Sequence, residues 1–167
     1  HLGRILRDNI FGTREEDVFR RDFTANALYY DTSSNTLIDY VDGFSDIRAG
    51  RLRFIGDPAL RINEDPVRML RAVRFRAKLD LDLESGVEQV FRDQAYLLRH
   101  VPPARLFDEV LKLFHSGYAV ATFGLLRSFG LFAELFPEAE RSYGDTDLEP
   151  QRGLVLQGLQ NTDRRID

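Results

Sequence analysis

Glu64-Asp65-Pro66-Val67-Arg68-Met69-Leu70-Arg71-Ala72-Val73-Arg74-Phe75-Arg76-Ala77-Lys78 is the stretch on which the fold turns. Asp65 is an N-cap residue type, and proline is tolerated at the first helical position because its missing N–H has no partner there anyway. The stretch therefore predicts a helix opening at Asp65-Pro66 and running to about Lys78. Within it Asp65 and Arg68 stand three apart and Glu64 and Arg68 four apart, which gathers two carboxylates and a guanidinium at the helix start. Gly56-Asp57-Pro58 punctuates the chain just upstream. Before that break the pattern mixes short strands and helices; after it the pattern is helical.

Toward the N-terminus, residues 15–21 read as a short helix with Thr13 as N-cap and Glu16 as its capping-box partner. Residues 27–30 and 36–40 read as two strands about the turn-rich Thr32-Ser33-Ser34-Asn35. One or two helical turns follow over 44–49, then a short strand over 51–55. Toward the C-terminus a helix fits 87–99, with Val87, Val90, Phe91 and Leu98 on one face and Gln94 interrupting it. Pro102-Pro103 opens a third helix, in which Leu106, Phe107, Val110, Leu111 and Phe114 recur at helical spacing. Shorter helices fit 118–129 and 131–136, the acidic stretch 138–150 reads as a linker, and a last helix fits 151–160. Phe75, Phe91, Phe107, Phe114, Phe123 and Phe132 are expected in the core. The fold class is mainly α with a small α/β N-terminal part.

The chain has 167 residues, 43% hydrophobic and 30% charged, as expected of one globular domain or two small ones. No apolar run approaches the roughly 20 residues of a membrane-spanning helix. There is no signal-peptide pattern, and an opening on His1 rather than Met reads as a trimmed chain. With no cysteine there is no disulfide framework and no thiolate chemistry, which fits a cytoplasmic protein.

The net charge of −4 argues weakly against a nucleic-acid binder. Its distribution argues the other way. Arg48, Arg51, Arg53, Arg61, Arg68, Arg71, Arg74, Arg76 and Lys78 fall in one stretch against only Asp57, Glu64 and Asp65. Such asymmetry suits a phosphate-facing surface, although a solvated arginine-rich helix would look the same.

Three clusters carry chemistry. Arg20-Arg21-Asp22-Phe23-Thr24-Ala25-Asn26-Ala27-Leu28 sets guanidinium groups, which match phosphate geometry, beside Asp and Asn, which hydrogen-bond sugar hydroxyls. The alternative has Asp22 capping the next turn and the arginines solvated. Asp39-Tyr40-Val41-Asp42-Gly43 reads as a turn, with Gly43 free to take positive φ and Asp42 accepting backbone hydrogen bonds. In Glu64-Asp65-Pro66-Val67-Arg68 the plain reading is a helix cap with an ion pair. The sharper one rests on hydrogen-bond complementarity: adenine and cytosine each present an amino donor beside a ring-nitrogen acceptor. Asp65 can accept from the first and Arg68 donate to the second, admitting A or C over G and U. Arg71 and Arg74 continue along the helix toward phosphate.

These motifs occur in the order and spacing of the poly(A) polymerase and CCA-adding nucleotidyltransferase family, which the chain resembles over nearly its whole length. Leu6-Arg7-Asp8-Asn9-Ile10-Phe11-Gly12-Thr13, Pro102-Pro103-Ala104-Arg105-Leu106-Phe107 and Asn161-Thr162-Asp163-Arg164-Arg165-Ile166 look like its bacterial poly(A) polymerase branch. The resemblance implies three parts: the C-terminal remnant of a nucleotidyltransferase head (1–56), a helical neck (57–137), and a linker with the start of a helical body (138–167). It places Arg21, Asp22, Asn26, Glu64, Asp65, Arg68 and Arg71 at the nucleotide. Arg20, Arg61, Arg74 and Lys78 fall on an RNA and phosphate path, and Asp42 and Gly43 at a head–neck hinge.

The implied reaction is attack of an RNA 3′-hydroxyl on the α-phosphate of ATP, so ATP and RNA 3′ ends are the expected partners. It also implies Mg²⁺ held by an Asp-x-Asp pair after a Gly-rich turn, expected upstream of residue 1. Asp80-Leu81-Asp82 reads as a turn, and Asp145-Thr146-Asp147 has no strand or Gly-rich turn before it, so no metal ligand is expected in this chain. His1, His100 and His115 lack metal-ligand spacing. The isolated chain is expected to be inactive. A CCA-adding enzyme and a non-catalytic RNA-binding module are the alternatives.

Overall fold

The computed structural model describes residues 12–144 and 149–166. Helix α1 (Arg14–Arg20) starts on a complete capping box: the Thr13 hydroxyl accepts from the Glu16 N–H at 3.2 Å, and the Glu16 carboxylate accepts from the Thr13 N–H at 2.8 Å. Strands β1 (Leu28–Asp31) and β2 (Thr36–Asp39) form an antiparallel hairpin, Leu28 opposite Asp39 and Asp31 opposite Thr36. Helix α2 (Gly43–Arg48) leads to β3 (Arg51–Leu52), which pairs in parallel with β4 (Asp82–Leu83). The strand expected over 51–55 is shorter because its second half finds another partner. The Arg53 carbonyl accepts from Thr24 N–H at 3.0 Å and the Ile55 N–H donates to the Asp22 carbonyl at 3.1 Å, which bridges Phe54 to Phe23.

The punctuation at Gly56-Asp57-Pro58 opens a helix that the sequence pattern had not shown, α3 (Pro58–Glu64), with the Asp57 carboxylate accepting from the Leu60 N–H at 2.9 Å. Asp65 then ends α3 instead of belonging to the next helix, although its side chain still accepts from the Val67 N–H at 3.2 Å. The next helix is α4 (Val67–Leu79). Beyond it come α5 (Val87–Gln94), a 3₁₀ segment (Ala95–His100), α6 (Pro103–Phe114), α7 (Ala119–Ser128) and α8 (Leu131–Leu135). The expected single helix over 87–99 tightens at Ala95, and the three-residue spacing keeps both Ala95 and Leu98 in the core.

The acidic stretch expected to be a linker forms helix α9 (Pro137–Gly144) before α10 (Glu149–Asp163). Composition misled here: Glu138 and Glu140 lie in the first turn, where the helix dipole favours them. Arg127 also grips Glu140 through two bonds of 2.9 and 2.8 Å. Asp145-Thr146-Asp147 and Leu6 to Phe11 lie outside the described residues.

Helix α4 is the axle of the molecule. Met69, Leu70, Ala72 and Val73 are fully buried in one cluster with Phe23, Leu52 and Phe54 on one side and Phe91, Leu113, Phe123 and Phe129 on the other. Edge-to-face ring contacts run from Phe75 to Phe23, Phe54, Phe91 and Phe129, each worth about 0.5–1.5 kcal/mol beyond area burial. The aromatic expectation fails at Phe107, which is 62% exposed. Helix α6 buries Glu109 and Leu113 against the protein, so the Phe107 and Leu111 side of the apolar stripe faces out. No helix among the described residues is long and apolar enough to cross a membrane.

Asp163 closes the fold from afar. Its carboxylate accepts from the Ala119 and Val120 N–H groups at 2.5 and 3.1 Å, capping α7 from the end of α10. Asp163→Ala is expected to lower stability by about 1–2 kcal/mol, as for loss of an N-cap. Thermal unfolding checks it: a melting temperature equal to that of Asp163→Glu would show that the cap contributes nothing.

Candidate nucleotide-binding site

Asp22 sits where α4 meets the N-terminal part, with its side chain 10% exposed. One carboxylate oxygen accepts from Arg68 Nε at 2.8 Å and the other from an Arg71 Nη at 2.7 Å. Burial alone would push this carboxyl up, but the Arg71 and Arg68 hydrogen bonds outweigh it and hold Asp22 below the usual carboxylate range. Arg71 is shifted upward by the same bond, against the opposing effect of burial. The helix-capping alternative for Asp22 is therefore not what the fold uses.

Arg68 is gripped from a second side, its Nη1 donating to the Glu64 carboxylate at 3.0 Å and to the Arg61 carbonyl at 2.5 Å. The expected Glu64–Arg68 pair thus forms. An Asp65–Arg68 pair does not, because Asp65 lies in the break between α3 and α4. Its Oδ2 accepts instead from Arg105 on α6 at 2.6 Å. Sequence reading missed Arg105 as a site residue; it stood in a quoted flank, but its partner lies forty residues away. Arg68 keeps Nη2 without a partner among the described residues, and the Asp65 carboxylate keeps lone pairs to spare. Arg68 thus has a donor to spare and Asp65 an acceptor, each side chain held by a separate support.

Arg21 and Asp22 are neighbours in sequence but serve different networks. Arg21 folds back toward α1 and β1, donating to Asp17 at 2.9 Å, to the Asn26 carbonyl at 2.6 Å and to the Tyr29 hydroxyl at 3.2 Å. Its guanidinium lies 5.0 Å from the Tyr29 ring centroid, and the Tyr29 hydroxyl donates to Asp17. The Asn26 side-chain oxygen is buried with no hydrogen-bond donor, an unmet acceptor beside this network. Arg20 is exposed, and Arg61 is used as a strap, donating to the Arg20 and Arg21 carbonyls at 3.2 and 2.9 Å and to Glu64 at 2.9 Å. Arg74 and Lys78 have no carboxylate partner among the described residues.

The turn after β2 works differently from its sequence reading. Asp39, not Asp42, accepts the backbone N–H groups of Val41, Gly43 and Phe44, at 3.1, 3.1 and 2.9 Å. Asp42 itself takes the left-handed conformation, with φ 60°. Gly43 is needed for close approach, since a Cβ there would lie 2.1 Å from the Thr24 carbonyl oxygen. A further buried acid escaped the sequence reading: Asp46, 1% exposed, accepts from the Thr24 hydroxyl and Arg53 Nε, both at 2.8 Å, and pairs with Arg51 at 3.2 Å. Only a neighbouring arginine in a short strand hinted at it.

No group of three or more metal-ligating side chains occurs among the described residues. The buried Asp22 carboxylate and the partly buried Asp65 carboxylate are each engaged by arginine. The described residues therefore do not fit Mg²⁺.

A family model described as "Poly A polymerase head domain" matches residues 5–53. Another, described as "Probable RNA and SrmB- binding site of polymerase A", matches residues 80–142. Poly(A) polymerase I of Haemophilus influenzae is 51% identical over 164 residues, 98% of this chain and 36% of its own length. The chain belongs to the poly(A) polymerase and CCA-adding nucleotidyltransferase family. Poly(A) polymerase I of Escherichia coli O6:H1 is 48% identical over 98% of this chain and 35% of its own length. Among solved structures of the family, a Bacillus stearothermophilus CCA-adding enzyme in complex with CTP is 39% identical, with TM-score 0.66, over 71% of this chain and 30% of its own. The chain thus spans about a third of the length of the curated relatives it matches.

Proposed function

We propose that this chain supplies the nucleotide-selecting and RNA-holding part of a cytoplasmic enzyme that transfers adenylyl groups from ATP onto RNA 3′-hydroxyls without a template. The observation that carries this reading is the split support of the base reader. Arg68 is aimed by Asp22 and Glu64, and Asp65 by Arg105, leaving one donor and one acceptor open. Adenine fits that pair, its amino group donating to Asp65 and its ring nitrogen accepting from Arg68. The unmet Asn26 oxygen suits a ribose hydroxyl, and Arg21 and Arg71 suit the phosphates. Arg20, Arg74 and Lys78 would meet RNA phosphate, with Arg61 bracing residues 20 and 21 from beneath. In this reading residues 1–56 belong to the head, 57–137 to the neck and 138–167 to the start of the body. Asp42 and Gly43 form the stiff corner of the hinge. Mg²⁺ at the α-phosphate would be held by carboxylates other than those described here.

The test uses a full-length protein carrying this chain, supplied with Mg²⁺ and an RNA 3′ end. Arg68→Ala is expected to erode the preference for ATP by about tenfold or more, since a good two-point base contact is worth about 1–3 kcal/mol of discrimination. Binding of the triphosphate should fall less. An equal loss for all four nucleotides would reduce Arg68 to a structural role. Addition of CCA followed by arrest in the unmodified protein would instead favour CCA addition, the alternative suggested by the 39% likeness.

A further inference from the structure

The Arg21 side chain is 38% exposed, yet the protein holds it on several sides. Its Nε donates at 2.9 Å to Asp17, four residues back on α1, and one Nη donates at 3.2 Å to the Tyr29 hydroxyl. Tyr29 donates in turn to the same Asp17 oxygen, so guanidinium, phenol and carboxylate close a triangle. The phenol is anchored independently of Arg21. Tyr29 stands opposite Ile38 in the hairpin and packs against buried Val18, Ala27 and Ile55. Its bond to Asp17 shifts Tyr29 upward, so the hydroxyl stays protonated and keeps donating at neutral pH.

Stability gives little reason for such an arrangement. An exposed acid–base pair at four-residue spacing contributes little by itself, and a third member brought from the hairpin adds ordering cost. What the triangle does is grip one edge of the guanidinium, Nε and Nη2. The other end, Nη1, donates to the Asn26 carbonyl at 2.6 Å and keeps one N–H without a partner among the described residues. The open end therefore stands at the residue whose side-chain oxygen is also unmet. The next residue along the chain, Asp22, holds Arg68 and Arg71.

We propose that Tyr29 and Asp17 are positioning residues for the nucleotide triphosphate, fixing the Arg21 guanidinium so that its Nη1 end meets a phosphate oxygen. The assignment rests on the function proposed above and adds two residues that touch no substrate themselves. A free arginine side chain gives up its rotamer freedom each time a ligand binds; one fixed beforehand by the fold does not. Because the Asp17 carboxylate offsets the charge of Arg21, the gain is in placement and not in field strength.

Calorimetric titration of a full-length protein carrying this chain, with ATP and with adenosine, tests the assignment. Adenosine shares base and ribose with ATP but has no phosphate. Tyr29→Phe keeps the ring and removes only the hydroxyl, and it is expected to weaken ATP binding about fivefold, as for one lost hydrogen bond. Asp17→Asn should act in the same direction. Adenosine affinity should stay within about twofold in both, because neither residue lies at the base or ribose contacts. In an Arg21→Ala background, Tyr29→Phe should change ATP affinity by less than about twofold, the sign that it acts through Arg21. Tyr30→Phe, on the exposed neighbouring position, is the control and should bind ATP like the unmodified protein. Equal weakening of ATP and adenosine would reduce Tyr29 to a structural role and overturn the assignment. So would a full Tyr29→Phe effect without Arg21. Unchanged ATP affinity in Tyr29→Phe and Asp17→Asn, with Arg21→Ala impaired, would overturn the positioning and leave the proposed function standing. Unchanged ATP affinity in Arg21→Ala would overturn the phosphate role of Arg21 and the positioning with it.

Discussion

Asp22→Ala is expected to cost about 3–5 kcal/mol of folding stability, the range for removing one partner from a buried ion pair. The side chains of Asp22 and Arg68 are only 10% and 11% exposed, so the loss leaves a nearly buried guanidinium facing an empty space. Arg68 would retain Glu64 and the Arg61 carbonyl, while Arg71 would lose its only ion-pair partner among the described residues. For a chain of this size the melting temperature should fall by roughly 10 °C. Asp22→Asn keeps the shape and one acceptor, so a smaller loss is expected.

The pH dependence separates charge from shape. The folded Asp22 carboxyl titrates below its unfolded value of about 3.9. Its contribution is therefore complete above that pH and is lost as pH falls through the lower folded value. Below about pH 4 the Asp22→Asn variant should approach the unmodified protein in stability, while a constant difference from pH 7 down to pH 2 would exclude the ion pair as the cause. Because Asp22 also aims Arg68 and Arg71, nucleotide affinity should fall with stability. Chemical unfolding and ATP titration on the same samples measure both.

Gly43→Ala is expected to destabilise the protein by about 3 kcal/mol or more, the upper end of overpacking effects. The added Cβ would meet the Thr24 carbonyl oxygen at 2.1 Å and its carbon at 2.8 Å, both backbone atoms. Thr24 cannot yield easily, since its hydroxyl is bound to Asp46 at 2.8 Å and its N–H to the Arg53 carbonyl at 3.0 Å. Relief would have to come from moving α2, together with Asp46 and the arginines that neutralise it. Two other glycines serve as controls. At Gly50 (φ +66°) a Cβ meets nothing within 4 Å, so Gly50→Ala should cost only the left-handed penalty of about 1–2 kcal/mol. Gly124 lies inside α7 with open space, and alanine there should stabilise by up to about 1 kcal/mol. Urea midpoints order the three variants. A Gly43→Ala midpoint equal to that of Gly50→Ala would show that the close approach carries no cost.

The features legible in the sequence are those whose partners lie within one turn or one hairpin. The Thr13–Glu16 capping box, the hairpin about residues 32–35 and the Glu64–Arg68 pair all form within a few residues of chain. Backbone geometry alone brings such groups together, so spacing suffices to read them. The turn at residues 39–43 marks the limit of that reading. Its composition announced a turn, but steric contact with Thr24, nineteen positions back in sequence, decided which residue had to be glycine.

The sequence by itself determined that Glu64, Asp65, Arg68 and Arg71 would stand near one helix start. Only the tertiary structure decided the pairing. Asp22 meets Arg68 and Arg71 across 46 and 49 residues, and Asp65 meets Arg105 across 40. With so many arginines in the chain, charge complementarity does not single out a partner; packing does. The rotation of α6 that brings Arg105 to Asp65 and Glu109 into the interior is the same rotation that turns Phe107 outward. A helix presents a single buried side, so the apolar stripe had to be divided there.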